Sequence, residues 1–167
     1  TTTSRSSVCQ SGDMEDLQRR LLDSAKEPLK NLSTSTAPSS PGIYCLWHGS
    51  SFLYVGIARV DPTETTNTQA AGVAGRLNTY RRCRLTSDFA IACAFRFVVP
   101  DLTADQRQAL SDGRLSVRDV QALVRNWVSE NVDFTAVAVD AATAAAAEKA
   151  IRMTGLLNAG RPAFNPL

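Results

Sequence analysis

Two short β-forming runs, Ile43–Trp47 and Phe52–Ala58, stand either side of the four residues His48-Gly49-Ser50-Ser51. The connection is short and polar and carries a glycine, so the runs pair as an antiparallel β-hairpin. This feature constrains the fold most, because a chain that opens its sheet with a hairpin does not build a doubly wound parallel sheet. Beyond the hairpin the chain mixes helical and strand periods. Val73–Arg84 reads as a basic helix, and Phe89–Val99, rich in β-formers and closed by Pro100, reads as a strand. Thr103 caps a helical pattern to about Leu110, Asp112-Gly113 breaks it, and Ser116 caps another to about Glu130. Phe134–Val139 is a further strand, and Asp140 caps an alanine-rich helix to about Thr154. The expected fold class is α+β: a small antiparallel or mixed β-sheet, opened by a β-hairpin and flanked by helices.

Ahead of the hairpin, residues 1–12 have the composition of a disordered tail or appended remnant. Residues 13–40 read as an N-terminal helix and linker. Met14, Leu17, Leu21, Leu22 and Leu29 recur at mostly helical spacing up to Leu32, Pro28 ends or kinks the helix, and Ser33–Pro41 is linker-like. A chain of 167 residues, 44% hydrophobic, suits one compact core. The net charge of +2 neither demands nor excludes a polyanion, so the placement of charge matters more. Four cysteines without a C-x-x-C pair, and a single histidine, do not make a structural zinc site. The thiols fit a reducing cytosol. No apolar run nears the roughly 20 residues of a membrane span. A soluble cytoplasmic protein is expected.

Several residues could carry chemistry. Strand alternation puts Tyr44 with Leu46 on one face, and Phe52, Tyr54 and Gly56 together on a face of the partner strand. The turn brings Tyr44 and Tyr54 to similar levels, and the register decides whether they meet. By themselves they are equally ordinary strand residues. Arg76, Arg81, Arg82 and Arg84 lie in nine residues without an acid, and Tyr80 is one helical turn beyond Arg76. Such a cluster can hold backbone phosphates, or be a solvated helix face. Glu148, among alanines, can reach a hard cation or pair with Arg152. Asn165 is a turn residue or an orienting amide, and His48 at the hairpin tip reads as exposed.

In order, these residues resemble the GIY-YIG nuclease family. Gly42-Ile43-Tyr44 and Tyr54-Val55-Gly56 look like its signature hairpin, with Val for the usual Ile. Arg76 to Tyr80 resembles its catalytic-arginine helix, Ala147-Glu148-Lys149-Ala150-Ile151 its metal-binding helix, and Phe164-Asn165-Pro166 its closing asparagine motif. Ile57 stands where many members carry Lys. The likeness covers residues 41–167, with an insertion at about 89–130. It implies an endonuclease hydrolysing DNA phosphodiester bonds with a single Mg²⁺ or Mn²⁺. Tyr44, Tyr54, Arg76, Tyr80 and Asn165 would be its catalytic residues and Glu148 its metal ligand, with Tyr44 as general base. Arg81, Arg82 and Arg84 would contact nucleic acid. A prokaryotic source fits, and because a lone core would need to dimerise to cut both strands, a homodimer through the Met14–Leu32 helix is expected. The alternative is a DNA-binding or regulatory module that keeps the fold and cleaves weakly or not at all.

Overall fold

The computed structural model describes residues 11–59 and 72–165. Its centre is an antiparallel sheet in the order β1-β4-β2-β3, formed by β1 (Glu27–Pro28), β2 (Gly42–His48), β3 (Ser51–Ala58) and β4 (Asp133–Ala138). β2 is central and buried along nearly its whole length, matching its unbroken apolar run. One face is covered by α2 (Gly72–Arg82), α3 (Asp88–Cys93) and α5 (Val117–Asn131), which bury Leu77, Tyr80, Phe89, Val124 and Val128 against Tyr44, Leu46 and Leu53. The opposite face is covered by α1 (Ser11–Asp23) and α6 (Ala141–Thr154), which bury Leu17, Leu21, Ala144, Ala147 and Ile151 against Ile43, Cys45 and Val55. The architecture is therefore α+β, with helices on both faces of one antiparallel sheet.

The helix starts follow local chemistry. Thr103 and Gln106 form a reciprocal capping box for α4 (Ala104–Ser111), and Ser116 and Asp119 form one for α5. Asp140 accepts from the backbone of Ala142 and Thr143 to open α6.

Three expectations are corrected. Phe89–Val99 is not a strand: Ser87 caps α3, which runs on as a π-helical stretch, Ala94–Val98. Its buried residues Phe89, Ala90, Cys93 and Ala94 follow a helical spacing, and packing on the sheet overrides β-propensity. The N-terminal helix stops at Asp23, well before Pro28. Glu27–Pro28 pairs with β4, and Leu29–Asn31 forms a single 3₁₀ turn. The apolar stripe of α1 packs inside, with Leu17 and Leu21 buried. Lastly, Leu46 pairs with Tyr54 while Trp47 pairs with Phe52, leaving Leu53 as the extra residue of a β-bulge. The bulge turns Phe52 to the α1/α6 side and keeps Leu53 and Tyr54 on the α2 side. The proposed tail at 1–12 falls outside the described residues up to position 10, and Ser11 and Gly12 belong to α1.

Candidate functional site

The bulge and register bring the singled-out tyrosines together. Tyr44 lies opposite Gly56, and Tyr54 lies opposite Leu46, two residues along the same face. α2 crosses that face and adds Tyr80. The Tyr44 hydroxyl donates to the Tyr80 hydroxyl at 3.0 Å, and the Tyr80 ring centroid is 5.8 Å from Tyr44 and 5.6 Å from Tyr54. Phe89 closes the cluster, edge-on to Tyr80 at 5.3 Å. Arg76, one turn before Tyr80, holds its guanidinium carbon 5.9 Å from the Tyr80 centroid and within hydrogen-bonding reach of Tyr44. Tyr44 and Tyr80 are buried, Tyr54 is half-buried and Arg76 is exposed, so the cluster opens to solvent at Tyr54 and Arg76.

The two signature glycines have a steric cause. A Cβ on Gly56 would sit 2.6 Å from Tyr44 Cζ and 2.9 Å from Tyr54 Cε1, because the Tyr44 ring lies across that position. A Cβ on Gly42 would sit 3.0 Å from Val73 Cγ2 and 3.2 Å from Ala138 Cα. Both are close approaches that only hydrogen allows. Gly56→Ala therefore costs about 1–3 kcal/mol through overpacking, or about 2–4 °C of melting temperature per kcal/mol in a chain of this size. In the double variant with Tyr44→Phe the two costs add to less than their sum, which a double-mutant cycle in urea reads out.

Burial governs the acid–base state of the cluster. It raises all three phenols well above the ordinary value of 10.0. At Tyr44 burial outweighs the hydrogen bond with Tyr80 and the charge of Arg76, both of which lower it. Arg76 alone thus does not supply the downward shift that a general base needs, and in the protein as it stands Tyr44 is a neutral phenol. At Arg76 burial acts to lower the guanidinium, but the phenols, Tyr80 first, outweigh it and raise it. Cys45, Cys83 and Cys93 are buried free thiols, raised by burial in the same way, Cys83 to about 11. Groups with raised values bind protons more tightly in the folded chain. Their stabilisation is complete below the unfolded values of 9.0 and 10.0 and is lost as pH rises above them. Unfolding free energy is expected to fall steeply from about pH 9 upward, and Tyr44→Phe should flatten the slope above pH 10 by up to about 1.4 kcal/mol per pH unit. Urea titrations across that range measure it.

Glu148, on α6, comes from the other layer. It is half-buried and makes no hydrogen bond or ion pair among the described residues, and its charge contributes to the raised value of Tyr54. Among the described residues no group of three or more His, Cys, Asp or Glu could hold an ion. Among the described residues the carboxylate that acts on the tyrosines, at Tyr54, is Glu148, a donor that fits a hard, water-retaining cation such as Mg²⁺ and not zinc.

Asn165 is not in the cluster. Its amide is committed to Val55, accepting from the backbone N–H at 2.7 Å and donating to the carbonyl at 2.8 Å. With Ala163 and Phe164 bonded to Phe52 and Leu53, it covers the outer edge of β3 and fixes the strand that carries Tyr54 and Gly56. Arg81, Arg82 and Arg84 are also elsewhere, lining a groove against α5 together with Arg125. His48 is not an exposed tip: it is half-buried, 5.1 Å from both the Phe97 and Trp127 rings. No local pattern in the sequence singles out Arg125, because only the packing of α5 on α2 gives it a role. The chain matches no family model, no curated protein and no solved structure.

Proposed function

We propose that the protein is a metal-dependent endonuclease of the GIY-YIG type that hydrolyses phosphodiester bonds in DNA. The observation that carries this reading is the convergence of Tyr44, Tyr54, Tyr80 and Arg76 from three elements, open to solvent at Arg76, with the charge of the Glu148 carboxylate acting on Tyr54. A cluster serving only packing would gain as much from apolar rings and would not need a guanidinium at its mouth.

Arg76 presents a planar cation to the scissile phosphate and stabilises the charge of the transition state. Tyr44, fully buried, donates its hydroxyl to Tyr80 and braces the site from behind. Tyr54, at the opening, contacts water or a phosphate oxygen. Asn165 acts one step removed, by holding β3. Glu148 is the residue that would hold Mg²⁺ or Mn²⁺, whose chemistry there would be Lewis-acid stabilisation of the leaving oxygen. The same reading puts the protein in a prokaryotic cytoplasm, where DNA is at hand and its buried thiols stay reduced. Among the described residues no helix is long and apolar enough to cross a membrane.

A second reading, a DNA-binding module without cleavage, is favoured by one observation, the upward shift of Tyr44. Incubating supercoiled, linear and branched DNA, and RNA, with Mg²⁺, Mn²⁺ or chelator separates the two. Cleavage that requires the metal supports the nuclease; retarded but intact DNA in every lane supports the binding module.

A further inference from the structure

The end of α2 and the flank of α5 enclose a groove of about 570 Å³. Arg81, Arg82 and Arg84 form one wall, and Arg125, with Gln121 and Asn126, forms the other. Among the described residues no carboxylate lines it. Arg81, Arg84 and Arg125 take part in no ion pair among the described residues, where the ion pairs are Arg19–Glu15, Lys30–Glu130 and Arg114–Asp112. Arg125 is fixed in place, its Nε donating to the Arg82 carbonyl at 3.1 Å. Gln121 accepts from the Leu85 backbone at 3.2 Å, which leaves its amide N–H groups as donors.

Cations in the last turn of a helix offset its dipole, and that accounts for Arg81 and Arg82. It does not account for Arg84, beyond the helix, or for Arg125, contributed by a helix some forty positions later. Small-molecule sites are mostly apolar with a few placed polar groups. This groove is the reverse: donor-rich, acid-free among the described residues and built on guanidinium, the group that matches phosphate oxygens in pairs. Arg82 follows Arg76 by six residues on α2, about 9 Å at about 1.5 Å per residue. That spans two to three nucleotides at about 3.4 Å each.

We propose that this groove grips the sugar-phosphate backbone of DNA two to three nucleotides from the scissile phosphate, without regard to base sequence, with α5 supplying the second wall through Arg125. The register rests on the nuclease reading; the phosphate chemistry does not. Contacts of this kind strengthen and position binding and carry no sequence information.

The test uses the intact protein and a short fluorescent DNA duplex in chelator, so that no cleavage intrudes, with anisotropy followed across a salt series. Arg125→Ala and Arg84→Ala are each expected to weaken binding roughly tenfold at low salt. Each should also reduce the slope of log K against log salt by about 0.9. Because Arg125 also braces α2, Asn126→Asp serves as a second probe: it removes no hydrogen bond among the described residues and adds one negative charge to the wall. It should weaken binding similarly for duplexes of unrelated sequence, with the melting temperature unchanged. Unchanged affinity and salt slope in Arg84→Ala and Asn126→Asp overturn the proposal. If these variants bind poorly while wild type binds but never cuts with Mg²⁺, the groove stands and the nuclease reading falls. If wild type cuts while they bind and cut equally well, the groove falls and the nuclease stands.

Discussion

Replacing Glu148 with alanine is expected to leave a folded protein that no longer cuts DNA. The loss should be about a thousandfold or more, since a metal's stabilisation of phosphoryl charge is worth several kcal/mol and each 1.36 kcal/mol is about tenfold in rate. Stability should move the other way or not at all. The carboxylate is half-buried and makes no hydrogen bond or ion pair among the described residues, so its removal orphans nothing there. Alanine is also the better helix former, by roughly a few tenths of a kcal/mol. Glu148→Gln keeps the shape and removes the charge, and it should fail to cut as completely. In both variants Tyr54 titrates lower than in wild type, because the Glu148 charge helps to hold it up. Cleavage rate, melting temperature and tyrosine absorbance against pH read the three consequences separately. A destabilised Glu148→Ala protein would instead mark Glu148 as a structural group.

Arg76→Ala should reduce cleavage by about 10²–10³-fold, the usual cost of removing one preorganised donor from a transition state. Its effect on stability is small, of order 0.5–1 kcal/mol, because the guanidinium is exposed and its contact with the Tyr80 ring is a cation–π approach at 5.9 Å. Arg76→Lys should recover only part of the rate, since a point charge on a flexible stem does not reproduce a planar fork. Losing Arg76 also removes a downward pull on Tyr44, Tyr54 and Tyr80, so all three phenols should titrate still higher in the alanine variant. The combination of slower cutting, higher phenol titration and near-normal melting belongs to a residue that acts on charge. Equal cleavage by Arg76→Ala and wild type would remove Arg76 from the proposed chemistry.

The parts of this fold that are legible in the sequence are those fixed by neighbouring residues. Thr103, Ser116 and Asp140 mark helix starts because a side-chain cap acts within three positions. The hairpin is legible because its turn is local. The face of Phe52 is not, because one bulged residue, Leu53, inverts the alternation before it. Residues 88–98 carry the aromatic and β-branched content that signals a strand, whereas burial against the sheet selects a helix. Of the candidate site, Tyr44, Tyr54, Arg76 and Tyr80 are each visible as motif residues. The Tyr44–Tyr80 hydroxyl contact and the neutral state of the three phenols depend on α2 crossing the sheet, a long-range fact. His48 beside Trp127 and Arg125 beside Arg82 are contacts across tens of residues that no local pattern encodes.

Whether these residues cut DNA is the central question. The direct measurement is the single-turnover rate of plasmid nicking by wild type and Glu148→Ala, side by side, with Mg²⁺ and with chelator. Nicking by wild type that vanishes in chelator and in Glu148→Ala, both proteins melting at the same temperature, is the predicted result. Intact plasmid in every wild-type lane, or undiminished nicking by Glu148→Ala, would contradict it.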